Sequence, residues 1–341
     1  MNPARFKSIT TQYPSLRIAV IGDFCLDRYF EIDTAKQEIS IETNLPVHNV
    51  TNTRCSPGAA GTILNNLVAL GIGTIYPVGF AGHDAEGHEL RQALSRKPGV
   101  VLDHFLSTPQ RRTFCYTKPL LMHPGQPPEE LSRLDFKNWS PTPPEVSKTI
   151  ASSAKQLATS VDAIIVLDQV DIAETGVVTP EVRIALKELT LTHPNKFMIA
   201  DSRRGLRHFP PLSYKMNAQE LTAMRAVPAD SPLDTLRQIT TDLATELNRP
   251  AFVTLSERGI LGASPGQPAE HFPCYPIHGP IDIVGAGDSV TANLTAAHAA
   301  GATLLESLQL ANAAASIVIH QVGTTGTASV SQMEQLLSRC C

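Results

Sequence analysis

Short apolar runs rich in β-branched residues alternate along the chain with longer segments whose apolar positions repeat at helical spacing. RIAVI (17–21), TIYPVG (74–79), VVLDHF (100–105), DAIIVLD (162–168), KFMIAD (196–201) and AFVTLS (251–256) read as strands. GTILNNLVALG (61–71), GHELRQAL (87–94), EVRIALKELTL (181–191) and LDTLRQITTDLATEL (233–247) read as helices. Near-continuous apolar strands separated by helices belong to parallel sheets covered on both faces. The pattern therefore predicts an α/β fold, a doubly wound and mostly parallel sheet with helices on both sides. Two stretches, about 28–54 and 111–136, break the alternation with Thr, Asn, Arg and Glu and short β-like pieces such as RYFEI, LPVHNV and RTFCYTKPLL. They are too short to be independent domains and read as a small β lid on a single domain spanning 1–341.

Composition changes this picture only by exclusion. A net charge of −4 and a pI near 6.3 give no basic footprint, so nucleic acid is not an expected partner and a small molecule is. No apolar run reaches membrane-spanning length and the first residues lack the apolar centre of a signal peptide, so the expectation is a cytoplasmic protein without a membrane partner. The six cysteines (25, 55, 115, 274, 340 and 341) form no C-x-x-C pair and read as reduced thiols. His83 and His88 lack zinc-site spacing and a third ligand.

The candidate chemistry sits in IDIVGAGDSVTANLTAAHAAG (281–301). Gly285, Ala286 and Gly287 precede a helix predicted from about Asp288 to His298, so their N–H groups and the helix dipole would bind an anion. Asp288, with no Lys or Arg beside it in sequence, would then be a general base next to a transferring phosphate. The alternative is a glycine turn with Asp288 as an ordinary helix cap. No G-x-x-x-x-G-K-[ST] and no G-x-G-x-x-G after the first strand occurs, which excludes a P-loop and the usual dinucleotide fingerprint.

DIVGAGDSV (282–290) resembles the second signature of the ribokinase-like (PfkB) sugar kinases, D-x-x-G-A-G-D. The remaining landmarks follow in order: VIGDFCLDRYF, SPGAAGTILNNLVALG, GFAGHDAEG, MNAQEL, VTLSERG and LANAAASIV. GDFCLDRYF, SIETNLPV and LSRLDF further resemble the kinase domains that phosphorylate heptose phosphate on the way to ADP-heptose. Those enzymes carry a nucleotidyltransferase domain as well, and the expectation for this chain is a kinase alone. The resemblance implies an ATP-dependent carbohydrate kinase with Asp288 as base and Gly285, Ala286 and Gly287 as anion hole. Asp27 and Gly58 would meet the sugar, and Arg112 and Arg133, with Arg111, Lys118 and Arg203 nearby, would suit a phosphate on it. Asn217 and Glu220 would hold Mg²⁺ through water, although N-x-x-E is equally a helix-capping pattern. Thr254, Ser256, Gly259 and Asn312 would approach ATP; Ser256 stands where the family often has Gly. A monovalent cation (K⁺) near Asp282 and a homodimer through the lid are also implied. Gly61 occupies the position of the family's sugar-binding Asn, and Asn65 and Asn66, a turn further on, would point elsewhere. A nucleoside kinase would instead need an aromatic pocket, to which Tyr29, Phe30 and Phe114 are the candidates, and a silent nucleotide-binding regulator is the third reading.

Overall fold

The computed structural model describes residues 1–339; Cys340 and Cys341 lie outside the described residues. Nine strands form the main sheet in the order Glu270–Phe272, Ile260–Ala263, Ala251–Thr254, Ser213–Asn217, Phe197–Ser202, Ala163–Asp168, Arg17–Gly22, Thr74–Gly82, Phe105–Thr108. Every pairing from Ala251–Thr254 to Phe105–Thr108 is parallel, and only the two strands at the other edge turn antiparallel. Within the apolar runs alternate residues serve different faces. Ile18 and Val20 enter one core with Ile165 and Leu167, whereas Ala19 and Ile21 enter the other with Ile164 and Val166. The helices Ala60–Ala69, Ala286–Ala299 and Leu304–Ile319 cover the first face, and Pro144–Ala158, Pro180–Thr192 and Leu233–Leu247 cover the second.

The segment VVLDHF departs from its strand reading. Its first residues meet the sheet only through the isolated bridge of Val100 to Ile75, and the edge strand starts at Phe105. Pro77 is tolerated inside Thr74–Gly82 because the edge strand joins only from Gly79 onward, so no neighbour on that side needs its missing N–H.

The two polar stretches meet in one five-stranded sheet, ordered Leu134–Phe136, Phe114–Met122, Phe24–Asp33, Val50–Ala59, with Glu129–Glu130 paired to Phe114–Met122. The first excursion is longer than its composition suggested. Pairing begins at Phe24 with Ala59, because Phe24 and Leu26 belong to the core although they lead into the lid. Asp23 alone separates the first core strand from the central lid strand. It is buried, and its carboxylate accepts the N–H of Gln169 at 2.8 Å and of Val177 at 2.7 Å, closing the loop between them.

That closure generates a prediction. Asp23→Ala orphans two N–H donors, so the urea midpoint should fall by an equivalent of about 1–3 kcal/mol. An unchanged midpoint would show that other contacts hold the loop.

Candidate functional site

The parallel strands end on one edge, where Asp201, Asn217 and Thr254 emerge, and Asn217 lies level with Thr254 in the register. Ligands of open α/β sheets bind beyond this edge. There a cleft of about 250 Å³ lies between sheet and lid, lined by Asp27, Tyr116 and Arg133 on the lid side and by Thr62, Gly285, Asp288 and Thr325 on the other.

The helix Ala286–Ala299 starts two residues earlier than the sequence suggested, with Gly285 as its cap at φ +81°. A Cβ there would sit 2.8 Å from Thr325 Cγ2, so glycine is required both by conformation and by space. Ala286 donates its N–H to the Ile283 carbonyl at 3.2 Å and is thus already engaged. The N–H groups of Gly285 and Gly287 meet no protein acceptor among the described residues. Asp288 is the third helical residue and caps nothing. Its carboxyl makes no hydrogen bond among the described residues, and burial pushes its pKa up to about 7, against Lys215 and with the help of Asp201 and Asp27.

Lys215 escaped sequence reasoning, and it brings a cation towards Asp288, which has none beside it in sequence. It lies buried in Ser213–Asn217, with its Nζ 2.7 Å from Asp201 and 2.9 Å from where a Gly287 Cβ would be. Burial opposes its charge, but Asp201, Asp288 and Glu220 outweigh that and raise its pKa. Gly287 therefore provides both a free N–H and clearance for an ammonium group beneath the helix start.

Asp27 faces the same cleft from the lid. A Cβ at Gly58 would overlap its carboxylate, so that glycine makes room for the acid. Burial raises the Asp27 pKa, against Lys118, the Cys25 thiol and Arg133. Ala59 also lines the cleft and holds φ +54° and ψ −117°, a backbone state natural only to glycine. Gly61 does not line the cleft; it packs on Pro57 in the first turn of the next helix, and Thr62 faces the cleft instead. Asn65 and Asn66 bond to the carbonyls of Pro57 and Thr62.

The lid cations divide. Arg133 lines the cleft, as do Lys118, Lys137 and Arg203. Arg112 does not: its guanidinium lies 4.3 Å from the Phe136 ring centre, and its backbone N–H donates to Asn138 Oδ1 at 3.0 Å. Arg111 is buried and bonds the carbonyls of Ser140 and Thr175, which makes it structural.

At the end of the strand Ser213–Asn217, Asn217 and Glu220 form the reciprocal capping box, at 2.7 and 2.8 Å. This uses one Glu220 oxygen and leaves the other, while burial raises the Glu220 pKa. The described residues contain no group of three or more His, Cys, Asp or Glu placed to hold a metal ion. The oxygen donors nevertheless fit Mg²⁺, which keeps most of its waters and takes few carboxylates. Thr254 ends its strand, Ser256 adopts φ +54°, and Gly259 at φ +92° packs on the Phe272 carbonyl. Asn312 bonds the Pro273 carbonyl at 2.6 Å and so fixes that same wall. Asp282 accepts the N–H groups of Val284 and Gly323, tying the segment before the helix to the following loop.

The sheet order, the flanking helices and the lid together define a doubly wound α/β architecture with a β-sheet lid. Residues 205–330 match the model of the pfkB family carbohydrate kinases. The bifunctional protein HldE of Granulibacter bethesdensis is 29% identical over 320 residues, which is 92% of this chain and 63% of that protein. The chain thus spans less than two thirds of this relative. Among solved structures, Arabidopsis thaliana ribokinase complexed with ribose and ATP is similar with a TM-score of 0.66 at 20% identity, covering 94% of this chain and 98% of that one. Escherichia coli phosphofructokinase-2 in complex with fructose-6-phosphate gives 0.68 at 17% identity, covering 95% and 99%. The fold is ribokinase-like.

The raised Asp288 pKa carries a signed prediction. An acid whose folded pKa exceeds its unfolded value holds its proton more tightly when folded, so ionisation costs stability as pH rises from the ordinary carboxylate range through about 7. Asp288→Asn should therefore raise stability at pH 8 by at least about 1 kcal/mol, one pKa unit being worth about 1.4 kcal/mol. The gain should fade towards pH 4, and calorimetric melting at both pH values checks it.

Proposed function

We propose that this chain transfers the γ-phosphoryl group of ATP to a hydroxyl of a sugar that carries a phosphate of its own. The observation that supports it most is Asp288: an acid raised to about 7, sharing a cleft with Asp27 and, among the described residues, free of hydrogen bonds and next to N–H donors without an acceptor. An acceptor alcohol bonded by Asp27 would lie between the two acids. Asp288 takes its proton as the oxygen attacks phosphorus, and a base with pKa near working pH suits that task. Charge on the transferring group meets the N–H groups of Gly285 and Gly287, the helix dipole and the Lys215 ammonium. Bound Mg²⁺ supplies charge neutralisation of the nucleotide phosphates, and Glu220 and Asn217 are the residues that would hold it through water. Thr254, Ser256, Gly259 and Asn312 build the wall on which ATP would lie. This reading requires ATP and Mg²⁺; it does not require a monovalent cation at Asp282.

The phosphate on the acceptor is inferred from Lys118, Arg133, Lys137 and Arg203 in the cleft wall. A nucleoside acceptor is less well supported, because Tyr116 is the one aromatic residue among those lining the cleft, and Tyr29, Phe30 and Phe114 are absent from its wall. No observation favours a silent regulator. A homodimer through the lid is part of the same proposal. Ile39, Ile41 and Leu45 are 53%, 102% and 63% exposed on the hairpin beside the lid, an apolar surface that a second copy would cover.

Two outcomes follow. Asp288→Asn should lose about 10²- to 10⁴-fold in turnover yet bind nucleotide, and wild-type kcat/KM should rise with pH through about 7. Measuring ADP release over a panel of sugars and sugar phosphates tests this; full turnover in Asp288→Asn would refute the base. Sedimentation should give the mass of two chains, and Ile41→Asp should give one; a monomeric wild type rejects the dimer.

A further inference from the structure

Four cations face the acceptor side of the cleft, and the carboxylates beside them are not interchangeable. Asp135 bonds Arg133 at 2.9 Å and lies 3.8 Å from Lys137 on neighbouring lid chain, so that contact is internal to the lid. Asp171 is different. It lines the cleft and pairs with Lys137 at 2.9 Å and with Arg203 at 3.1 Å. Lys137 follows the lid strand Leu134–Phe136, and Arg203 follows the core strand Phe197–Ser202, so one carboxylate bridges cations from two layers. Its loop is fixed at both ends by Asp23, through Gln169 and Val177, while the Asp171 side chain is 44% exposed. The side chain can therefore leave its cations by rotation alone, with the loop in place. Lys137 first, then Arg203 and Arg133, holds the Asp171 carboxyl below its ordinary range despite some burial, so it is charged at neutral pH.

We propose that Asp171 is a specificity-determining residue whose carboxylate holds the anion position between Lys137 and Arg203, which an acceptor gains only by bringing a stronger anion. This rests on the reading of the cleft as the acceptor site. A hydroxyl would leave both cations paired to Asp171 and gain little. A carboxylate would exchange like for like. A phosphate dianion brings a second charge and three acceptor oxygens, enough to engage Lys137, Arg203 and the Arg133 fork together. Asp171 thus sets a threshold by competition, a device that disfavours the wrong ligand without adding any contact to the right one.

Calorimetric titration of the whole chain with inorganic phosphate tests the proposal. Asp171→Asn should bind phosphate about 5- to 10-fold more tightly, the scale of releasing two partly exposed ion pairs. The gain should vanish in the Asp171→Asn, Lys137→Met double variant, which separates this position from phosphate binding at the helix start. Asp171→Glu should stay near wild type. Equal or weaker phosphate binding in Asp171→Asn overturns the proposal and makes Asp171 an organiser of its cations. If neither wild type nor Asp171→Asn binds phosphate at all, the anion-binding reading of the cleft fails and takes this proposal with it. Should Asp171→Asn melt early, Asp171→Ser takes its place in the same titration, with the same tightening expected and the same failure to tighten overturning the proposal.

Discussion

The site depends on keeping several acids together at the edge of the sheet with one buried ammonium among them. Asp201, Asp288 and Glu220 all act on Lys215, and Asp27 adds its charge to the field at Asp288. Like charges brought out of water raise each other's pKa, and burial alone acts in the same direction. Asp201 satisfies Lys215 directly, which leaves Asp288 without a hydrogen bond among the described residues and able to exchange a proton near neutrality. The glycines follow from this constraint. Gly287 clears space over the ammonium, Gly58 clears space over Asp27, and Gly285 lets the chain turn into the helix under Thr325.

The sheet accounts for how distant residues arrive together. Asp201 sits near the end of one strand and Lys215 in the middle of its parallel neighbour, and the helix carrying Asp288 packs across that edge between two others with small buried residues such as Ala292, Ala296 and Ala313. A parallel sheet brings the carboxyl ends of its strands to one side whatever their order, so each strand contributes the residue at its end.

What could be read from the sequence was whatever is encoded locally. Apolar runs showed the strands, and the glycines before Asp288 showed the helix start, because conformation and spacing act over a few residues. Lys215 was hidden because SYKMN is only five residues long, with its lysine in the middle, and reads neither as an apolar run nor as a charged face. Thr62, Thr325 and Asp171 carry no local signature; topology alone brings them to the cleft. Arg112 and Arg133 looked equivalent, but one stacks on Phe136 and the other lines the cleft. For Asn217 and Glu220, the capping pattern and the cofactor pattern coincide, and the capping contacts are both made. Ser256 adopts the left-handed backbone for which glycine is the usual residue, which accounts for its unusual place in the turn.

The lid has no flexible stalk. Its central strand leaves the core one residue after the first sheet strand ends, and its neighbour Val50–Ala59 runs straight into the helix Ala60–Ala69. Both roots are stiff, and one is clamped by buried Asp23. Such a plate behaves as a lever with its fulcrum at the sheet edge, carrying Asp27 close to the pivot and Arg133, just before Leu134 opposite Thr117, further out. A small tilt would then move Arg133 through a longer arc than Asp27, so grip on the far end of a bound molecule and alignment at the reacting end are mechanically separable.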